Sequence, residues 1–248
     1  MTERQGKGGD IHMKAVGGKS IYGASLGILM LETRFPRIPG DIGNAGSWPF
    51  PVLFKVVPQA SPDRVVVRGA EGLLPAFIEA GKELVRLGAD GITTSCGFLS
   101  LFQDELAEAL DVPVATSSLM QVPLIERTLP AGKRVGILTV SGDSFSEAHL
   151  TAAGVDPSTP VMGAEGGREF SRVMLNNEEL IDVDLAREDN ISAARQLVEA
   201  HPEVAAIVLE CTNMVPFAAD IRDATGRSVF SIYSFATWFH SGLTPRRF

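Results

Sequence analysis

The chain has 248 residues, 45% of them hydrophobic, which allows either one α/β domain or two small halves around a substantial core. Its formal net charge is −8, and no run of basic residues interrupts that acidic average. Such a surface argues against a nucleic acid partner, because it offers little to neutralise phosphates. No apolar stretch approaches the roughly 20 residues that cross a bilayer, so no membrane association is predicted.

Residues 1–20 are rich in Gly, Lys and polar side chains, without periodicity, and are predicted to form a disordered leader. They lack the apolar centre of a secretory signal, so we expect a cytoplasmic protein. The stretch Gly17-Gly18-Lys19-Ser20 ends like a phosphate-binding loop but lacks its first glycine and a preceding strand. Nucleotide binding at this stretch is therefore not predicted.

Metal and disulfide chemistry also find little support in the sequence. The four histidines are scattered and show no metal-ligand spacing, so no metal site is predicted. The chain has two cysteines, Cys96 and Cys211, which is too few for a disulfide framework. A reducing compartment would keep both as thiols, and their positions then need another explanation.

From residue 21 onward, short apolar runs alternate with amphipathic patterns. The apolar runs predict strands over residues 23–31, 52–57, 91–94, 112–116, 134–140, 205–209 and 228–232. Apolar spacings of three and four predict helices over residues 71–87, 99–110, 119–129, 144–153 and 185–200. This βαβ series predicts an α/β fold whose parallel sheets are flanked by helices.

The two cysteine segments, residues 89–96 and 204–211, share one pattern in which an apolar strand ends at the cysteine. In each half, a second strand and a group of hydroxyl residues follow at a similar distance. The repeat predicts two similar lobes, residues 21–130 and 131–248. A last helix over residues 234–242 could cross back to cover the first lobe.

The cysteines then sit where parallel α/β sheets collect ligands, at the carboxyl ends of strands. A helix start favours the thiolate, so we expect a lowered thiol pKa at both positions. One thiol could remove a proton from carbon while the other supplies a proton to the opposite face. A buried cysteine often serves only as a small hydrophobe, but two at matching points of a repeat favour this paired acid/base role.

The segments Thr94-Ser95-Cys96-Gly97, Glu210-Cys211-Thr212-Asn213-Met214 and Val135-Gly136-Ile137-Leu138-Thr139-Val140 resemble the aspartate/glutamate racemase superfamily. That superfamily also includes hydantoin racemases, maleate isomerases and arylmalonate decarboxylases, and the resemblance covers roughly residues 21–240. It implies two similar, pseudo-twofold lobes with the active site in the cleft between them, and a two-thiol mechanism without pyridoxal phosphate. The function it implies is a cofactor-independent racemase or epimerase of an amino acid or related small carboxylate, with Cys96 and Cys211 as the acid/base pair.

The resemblance also implies a set of donors for the substrate carboxylate and its enolate-like intermediate. These are Ser117, Ser118, Thr139, Thr212 and Asn213, with the neighbouring Ser95, Gly97 and Phe98 completing the candidate site. On the loop after the first strand, Arg34 or Arg37 could clamp a carboxylate, and Arg34 is taken as the candidate.

The chain departs from glutamate racemases at both cysteines. Those enzymes have Cys-Asn-Thr at the first cysteine and Gly-Cys-Thr-His at the second, whereas this chain has Cys96-Gly97-Phe98 and Glu210-Cys211-Thr212-Asn213. Phe98 favours a larger or less polar substrate.

Three other functions stay open at this point. A single thiol could serve a maleate-type cis–trans isomerisation or a malonate-type decarboxylation, and a two-lobed scaffold could bind a small acid without catalysis. The apolar segment Trp48-Pro49-Phe50-Pro51 fits either an interface of a homo-oligomer or a cover over the cleft.

Overall fold

The computed structural model describes residues 2–5, 12–15 and 17–247. The predicted disordered leader, residues 1–20, therefore lies partly outside the described residues. Within it, β1 (Thr2–Gln5) and β2 (His12–Ala15) pair as antiparallel strands. Among the described residues, no helix combines the length and apolar character needed to cross a membrane.

The first lobe contains a four-stranded parallel sheet. Its strands are β3 (Leu26–Met30), β4 (Val52–Val56), β5 (Gly91–Thr94) and β6 (Val114–Ala115). Its α-helices are α1 (Leu74–Leu87), α2 (Gln103–Ala109) and α3 (Val122–Glu126). Shorter helical turns are Ala45–Ser47, Asp63–Val67, Gly97–Phe102 and Ser118–Gln121. The strand order is β4-β3-β5-β6.

The second lobe contains an equivalent sheet. Its strands are β7 (Arg134–Thr139), β8 (Val161–Gly163), β9 (Val204–Leu209) and β10 (Ser228–Phe230). Its helices are α4 (Glu147–Ala152), α5 (Phe170–Asn176), α6 (Val183–Ala200), the 3₁₀ turn Thr212–Phe217, α7 (Ala218–Thr225) and α8 (Ile232–Leu243). The order β8-β7-β9-β10 repeats that of the first sheet, strand for strand.

The predicted α/β class with two parallel sheets is confirmed. Among the strands and α-helices of the two lobes, β8, α5 and α7 were not predicted. β8 is a three-residue edge strand directly after Pro160, too short to show a period. α7 follows a turn that contains Pro216, which interrupts the apolar pattern that would have indicated a helix.

The helices that end the two lobes cover each other's sheets. Leu119, Val122 and Ile125, on α3 and the turn before it, pack in one core cluster with Val135 and Ile137 of β7. On the other side, Ile232, Phe235 and Ala236 of α8 pack with Leu26 and Ile28 of β3. Each lobe therefore supplies part of the apolar cover of the other.

The segment that the sequence offered as an interface or a cleft cover packs largely within the molecule. Trp48 is buried, and its ring stacks at 5.6 Å on Tyr233 of α8. Phe50 stacks on His240, also of α8, at 3.6 Å. These contacts fasten α8 over the first sheet.

Candidate active site

Both cysteines lie at the carboxyl end of the third strand of their lobe. Cys96 follows β5 and precedes the turn Gly97–Phe102, and Cys211 stands in the same relation to β9 and the turn Thr212–Phe217. Each is a free thiol, buried at 9% and 6% exposure respectively. The equivalent positions of two equivalent sheets thus bring both thiols into one site.

The two thiols share a small cavity of about 30 Å³, which we call the cysteine pocket. Most of its wall is apolar. The lining residues are Leu31, Phe35, Arg37, Pro62, Val66, Ser95, Cys96, Gly97, Phe98, Val140, Met174, Leu175, Glu210, Cys211, Thr212 and Asn213. A pocket of this volume holds about one water, so a larger ligand requires its wall to move.

The two cysteine loops are in direct contact with each other. The Thr212 hydroxyl donates to the carbonyl oxygen of Ser95 at 2.7 Å. A Cβ atom on Gly97 would lie 2.3 Å from Glu210 Oε1 and 2.4 Å from its carbonyl oxygen, so only glycine permits this approach. Gly97 therefore sets the spacing between the loops.

A polar chain connects Cys211 to an arginine on the loop after β3. The Cys211 thiol lies 3.6 Å from Asn213 Oδ1, and Asn213 Nδ2 donates to Asp41 Oδ2 at 2.6 Å. The other oxygen of Asp41 accepts from Arg37 Nη1 at 2.9 Å, and Thr33 accepts from Nη2 at 3.1 Å. Arg37 and Asp41 are nearly buried, with side chains 14% and 3% exposed, and their ion pair holds the guanidinium at the pocket wall.

The expected lowering of the thiol pKa does not hold for this closed site. Burial raises the pKa of Cys96 and of Cys211 well above the ordinary thiol value, and the nearby Glu210 carboxylate raises both further. Backbone N–H groups of Phe98 and Leu99 for Cys96, and of Asn213 for Cys211, act in the opposite direction but are outweighed. Desolvation disfavours the thiolate more than the short turns favour it.

Glu210 is the most unusual ionisable group of the pocket. Its side chain is fully buried, and burial raises its pKa to about 8, while a hydrogen bond from Thr139 lowers it in part. The Thr139 hydroxyl donates to Oε2 at 2.7 Å. Within residues 17–247, Oε1 has no hydrogen-bond partner.

The structure brings five of the nine proposed substrate-binding residues into the cysteine pocket, namely Ser95, Gly97, Phe98, Thr212 and Asn213. Thr139 acts one step away, through Glu210. Ser117 and Ser118 are buried elsewhere: Ser117 Oγ accepts from the N–H of Leu119, and Ser118 Oγ donates to the carbonyl of Leu209. Ser117 thus caps the turn Ser118–Gln121 of its own lobe, and Ser118 bonds to the second lobe.

Arg34, the predicted carboxylate clamp, does not line the pocket. Its side chain is 70% exposed and pairs with Glu179 at the surface. Arg37, three residues on, takes the position at the pocket wall. Its spacing of four residues from Asp41 was the available signal, because a nearby opposite charge can hold an arginine in an interior position.

Glu210 and Asp41 were not identified as site residues from the sequence. The position of Glu210 at the end of a wholly apolar strand, just before a cysteine, signals a buried carboxyl group. In the part of the chain that the structure describes, no group of three or more His, Cys, Asp or Glu side chains could hold a metal ion.

Comparison with known proteins relates this chain to one family and to two kinds of enzyme, dimethylsulfoniopropionate lyases and arylmalonate decarboxylase. The family model "Asp/Glu/Hydantoin racemase" matches residues 72–239. A dimethylsulfoniopropionate lyase of Durusdinium sp. clade D is 28% identical over 235 residues, which cover 90% of this chain and 76% of that protein. Dimethylsulfoniopropionate lyase 7 of Emiliania huxleyi is 30% identical over 238 residues, covering 88% and 67%.

A solved structure with the same fold is a mutant of arylmalonate decarboxylase in its sulfate-associated form. It superposes with a TM-score of 0.59 at 17% sequence identity, over 88% of this chain and 92% of the other. Proteins named for different reactions thus resemble this chain, so its reaction has to be inferred from the residues of the site and not from the fold.

Proposed function

The chain belongs to the Asp/Glu/hydantoin racemase family, and from that premise we propose that it is a cofactor-independent lyase of a small carboxylate, dimethylsulfoniopropionate or a close analogue. The observation that carries the proposal is the convergence of two thiols and Arg37 on one apolar pocket. The relatives named as dimethylsulfoniopropionate lyases support the choice of substrate.

The reaction needs one base and one carboxylate clamp. A cysteine thiolate removes a proton from the carbon next to the substrate carboxylate, and the C–H electrons form a carbon–carbon double bond. The bond from the next carbon to sulfur breaks, and neutral dimethyl sulfide leaves with that electron pair. Acrylate remains, and the proton stays on the cysteine.

Arg37 is suited to hold the substrate carboxylate. The guanidinium has five N–H donors, and the structure accounts for one bond to Asp41 and one to Thr33. Donors therefore remain for an anion in the pocket. Because the hydrogen bond to Asp41 already orients the guanidinium of Arg37, the substrate carboxylate binds to a preorganised donor.

The apolar wall suits the other end of this substrate. Leu31, Val66, Val140 and Met174 can surround two methyl groups but offer nothing to an ammonium group. An α-amino acid would bury its ammonium among these side chains, which is costly without a partner. A dimethylsulfonium group spreads its charge over methyl groups and needs no hydrogen-bond acceptor.

Racemisation or epimerisation of a small carboxylate is the second candidate. Two thiols at equivalent strand ends suit proton removal and delivery on opposite faces of one carbon. Both reactions begin with loss of the same proton. They differ in whether a leaving group stands on the next carbon.

The test is to incubate the purified protein with dimethylsulfoniopropionate and to measure dimethyl sulfide in the headspace and acrylate in solution. We expect the two products in equal amounts. A parallel panel in deuterated water contains amino acids, hydantoins and substituted malonates. Absence of dimethyl sulfide, together with deuterium uptake and loss of optical activity in a panel compound, would assign racemisation instead, and carbon dioxide from a malonate would assign decarboxylation.

A further inference from the structure

Glu210 has no part in the reaction as written above, yet it lines the same pocket as the two cysteines. Its own backbone leads directly into Cys211, and its Oε1 atom faces Gly97, the residue after Cys96, closely enough to exclude a Cβ there. The carboxyl group therefore lies between the two cysteine loops.

The hydrogen bonding of this carboxyl group is incomplete. The Thr139 hydroxyl occupies Oε2, whereas Oε1 is buried and, among the described residues, has no partner. Buried polar atoms in native proteins almost always have a partner, so one without calls for a functional reason. An oxygen that exchanges a proton with a neighbouring group is such a reason.

No cation of the pocket neutralises Glu210. The charged and titratable groups that face it are Cys96 and Cys211 on the two loops, and Arg37 and Asp41 on the loop after β3. Arg37 is bound to Asp41, so its charge is largely matched already. The three groups Glu210, Cys96 and Cys211 thus share a buried site in which one negative charge is tolerated far better than two.

We propose that Glu210 is the proton acceptor that generates the reactive thiolate, a role that rests on the proposed function of the cysteines. Glu210 first loses its proton to solvent, which leaves one negative charge in the site. Its carboxylate then takes the proton of a neighbouring thiol: the S–H bond breaks, an O–H bond forms, and the charge moves to sulfur. The thiolate next removes the substrate proton.

This proton transfer from a thiol to Glu210 explains how a thiolate can form in a buried site and how the site can then receive a carboxylate. A thiolate in a buried site is unfavourable beside a second anion, and protonation of Glu210 removes that anion at the moment the thiolate forms. Neutral Glu210 also removes a negative charge that would repel an incoming carboxylate. The Thr139 hydroxyl holds the carboxyl group in place in both states.

The experiment measures thiol reactivity without any substrate, so that it stays informative if the substrate assignment fails. Cys96→Ser and Cys211→Ser each leave one thiol, and its alkylation by iodoacetamide is followed by mass spectrometry between pH 6 and 10. With Glu210 intact, we expect the rate to rise with an inflection near the pKa of about 8 that burial gives this carboxyl group. In the same backgrounds, Glu210→Gln is expected to lower the rate at pH 8 at least tenfold.

The same experiment can also contradict the proposal. If Glu210 merely repels a thiolate, Glu210→Gln would leave the rate at pH 8 unchanged or increase it, and the proposal would be overturned. Dimethyl sulfide release with unchanged alkylation in Glu210→Gln would keep the lyase and reject the proton acceptor. Loss of alkylation in Glu210→Gln, without any turnover of dimethylsulfoniopropionate by the parent protein, would keep Glu210 as the proton acceptor and reject the lyase.

A second pair of variants covers the case in which Glu210→Gln fails to fold. Thr139→Val removes the hydrogen bond that lowers the pKa of Glu210, whereas Thr139→Ser keeps a hydroxyl donor. We expect the alkylation inflection to move to higher pH in Thr139→Val and to stay near its original position in Thr139→Ser. An inflection at the same pH in both would contradict the proposal.

Discussion

Residues 95–98 of the first lobe and residues 210–213 of the second occupy equivalent places in two sheets of the same strand order. Around the first cysteine the neighbours are a serine, a glycine and a phenylalanine. Around the second they are a glutamate, a threonine and an asparagine. The backbone repeats while the side chains do not. The first loop contributes a glycine and an apolar ring beside its cysteine, and the second contributes a carboxyl group, a hydroxyl group and an amide.

The strongest test of this asymmetry compares Cys96→Ser with Cys211→Ser. A β-elimination needs one base, so we expect one variant to lose activity by about 10²–10⁴-fold, and the other to lose much less. Dimethyl sulfide release measures both. Equal, near-complete losses would favour a two-base racemase mechanism, which is symmetric between the lobes.

The next prediction concerns the free energy of unfolding and depends on Glu210, a residue of the second lobe. Burial raises the pKa of Glu210 from its ordinary value of 4.5 to about 8, so between these values the folded protein holds a proton that the unfolded chain has lost. The free energy of unfolding should therefore fall as pH rises through this window, by on the order of a few kcal/mol, and level off above it.

Urea unfolding at a series of pH values between 5 and 8 measures this slope, below the range in which thiols of the unfolded chain ionise. Glu210→Gln is the matched control, because it removes the titration and keeps the shape of the side chain. Parallel slopes in both proteins would show that Glu210 does not hold the extra proton.

Gly97→Ala tests the contact between the two loops. The added Cβ would meet Glu210 Oε1 at 2.3 Å, so the loops must separate, at about 1–3 kcal/mol of unfolding free energy, with a loss of activity. Gly166→Ala is the control, since a Cβ there meets nothing within 4 Å. Thermal unfolding and turnover are the measurements, and equal stability of the two variants would refute the contact.

The smallest expected effect distinguishes two arginines on one loop. Arg37→Gln should raise KM about 10–100-fold, because a charged hydrogen bond to the substrate carboxylate is lost. Arg34→Gln should leave KM within twofold, since that side chain is exposed and paired at the surface. A KM that responds to Arg34 but not to Arg37 would reverse the assignment.

How far the sequence could predict this molecule depends on the range of the interactions involved. The parallel strands and the cysteine positions were predictable, because strand length and apolar runs are local signals, and each cysteine comes two residues after the end of such a strand. The distinction between Arg34 and Arg37 was not predictable in this way. It depends on which side chain of an irregular loop turns inward to meet Asp41 and, through it, Asn213 of the other lobe.

Glu210 shows the same limit more sharply. Its identity was visible beside Cys211, but its environment is created by Gly97 and Thr139, which approach it from distant parts of the chain. Ser117 and Ser118 show the reverse case, because a local hydroxyl cluster that was predicted to bind substrate instead caps a turn, at Ser117, and bonds to the other lobe, at Ser118. Residue types indicate chemistry, whereas partners decide which residues perform it.

The exchange of terminal helices between the lobes has a consequence for how such a chain can be divided. A fragment that ends after α3 would leave β3 without the cover that α8 provides, and the complementary fragment would leave β7 without α3. Each half would expose an apolar face that only the other half can bury. The two lobes therefore share one architecture, but neither is an independent folding unit. We expect each half alone to be incompletely folded, and the two halves to complement each other when they are mixed.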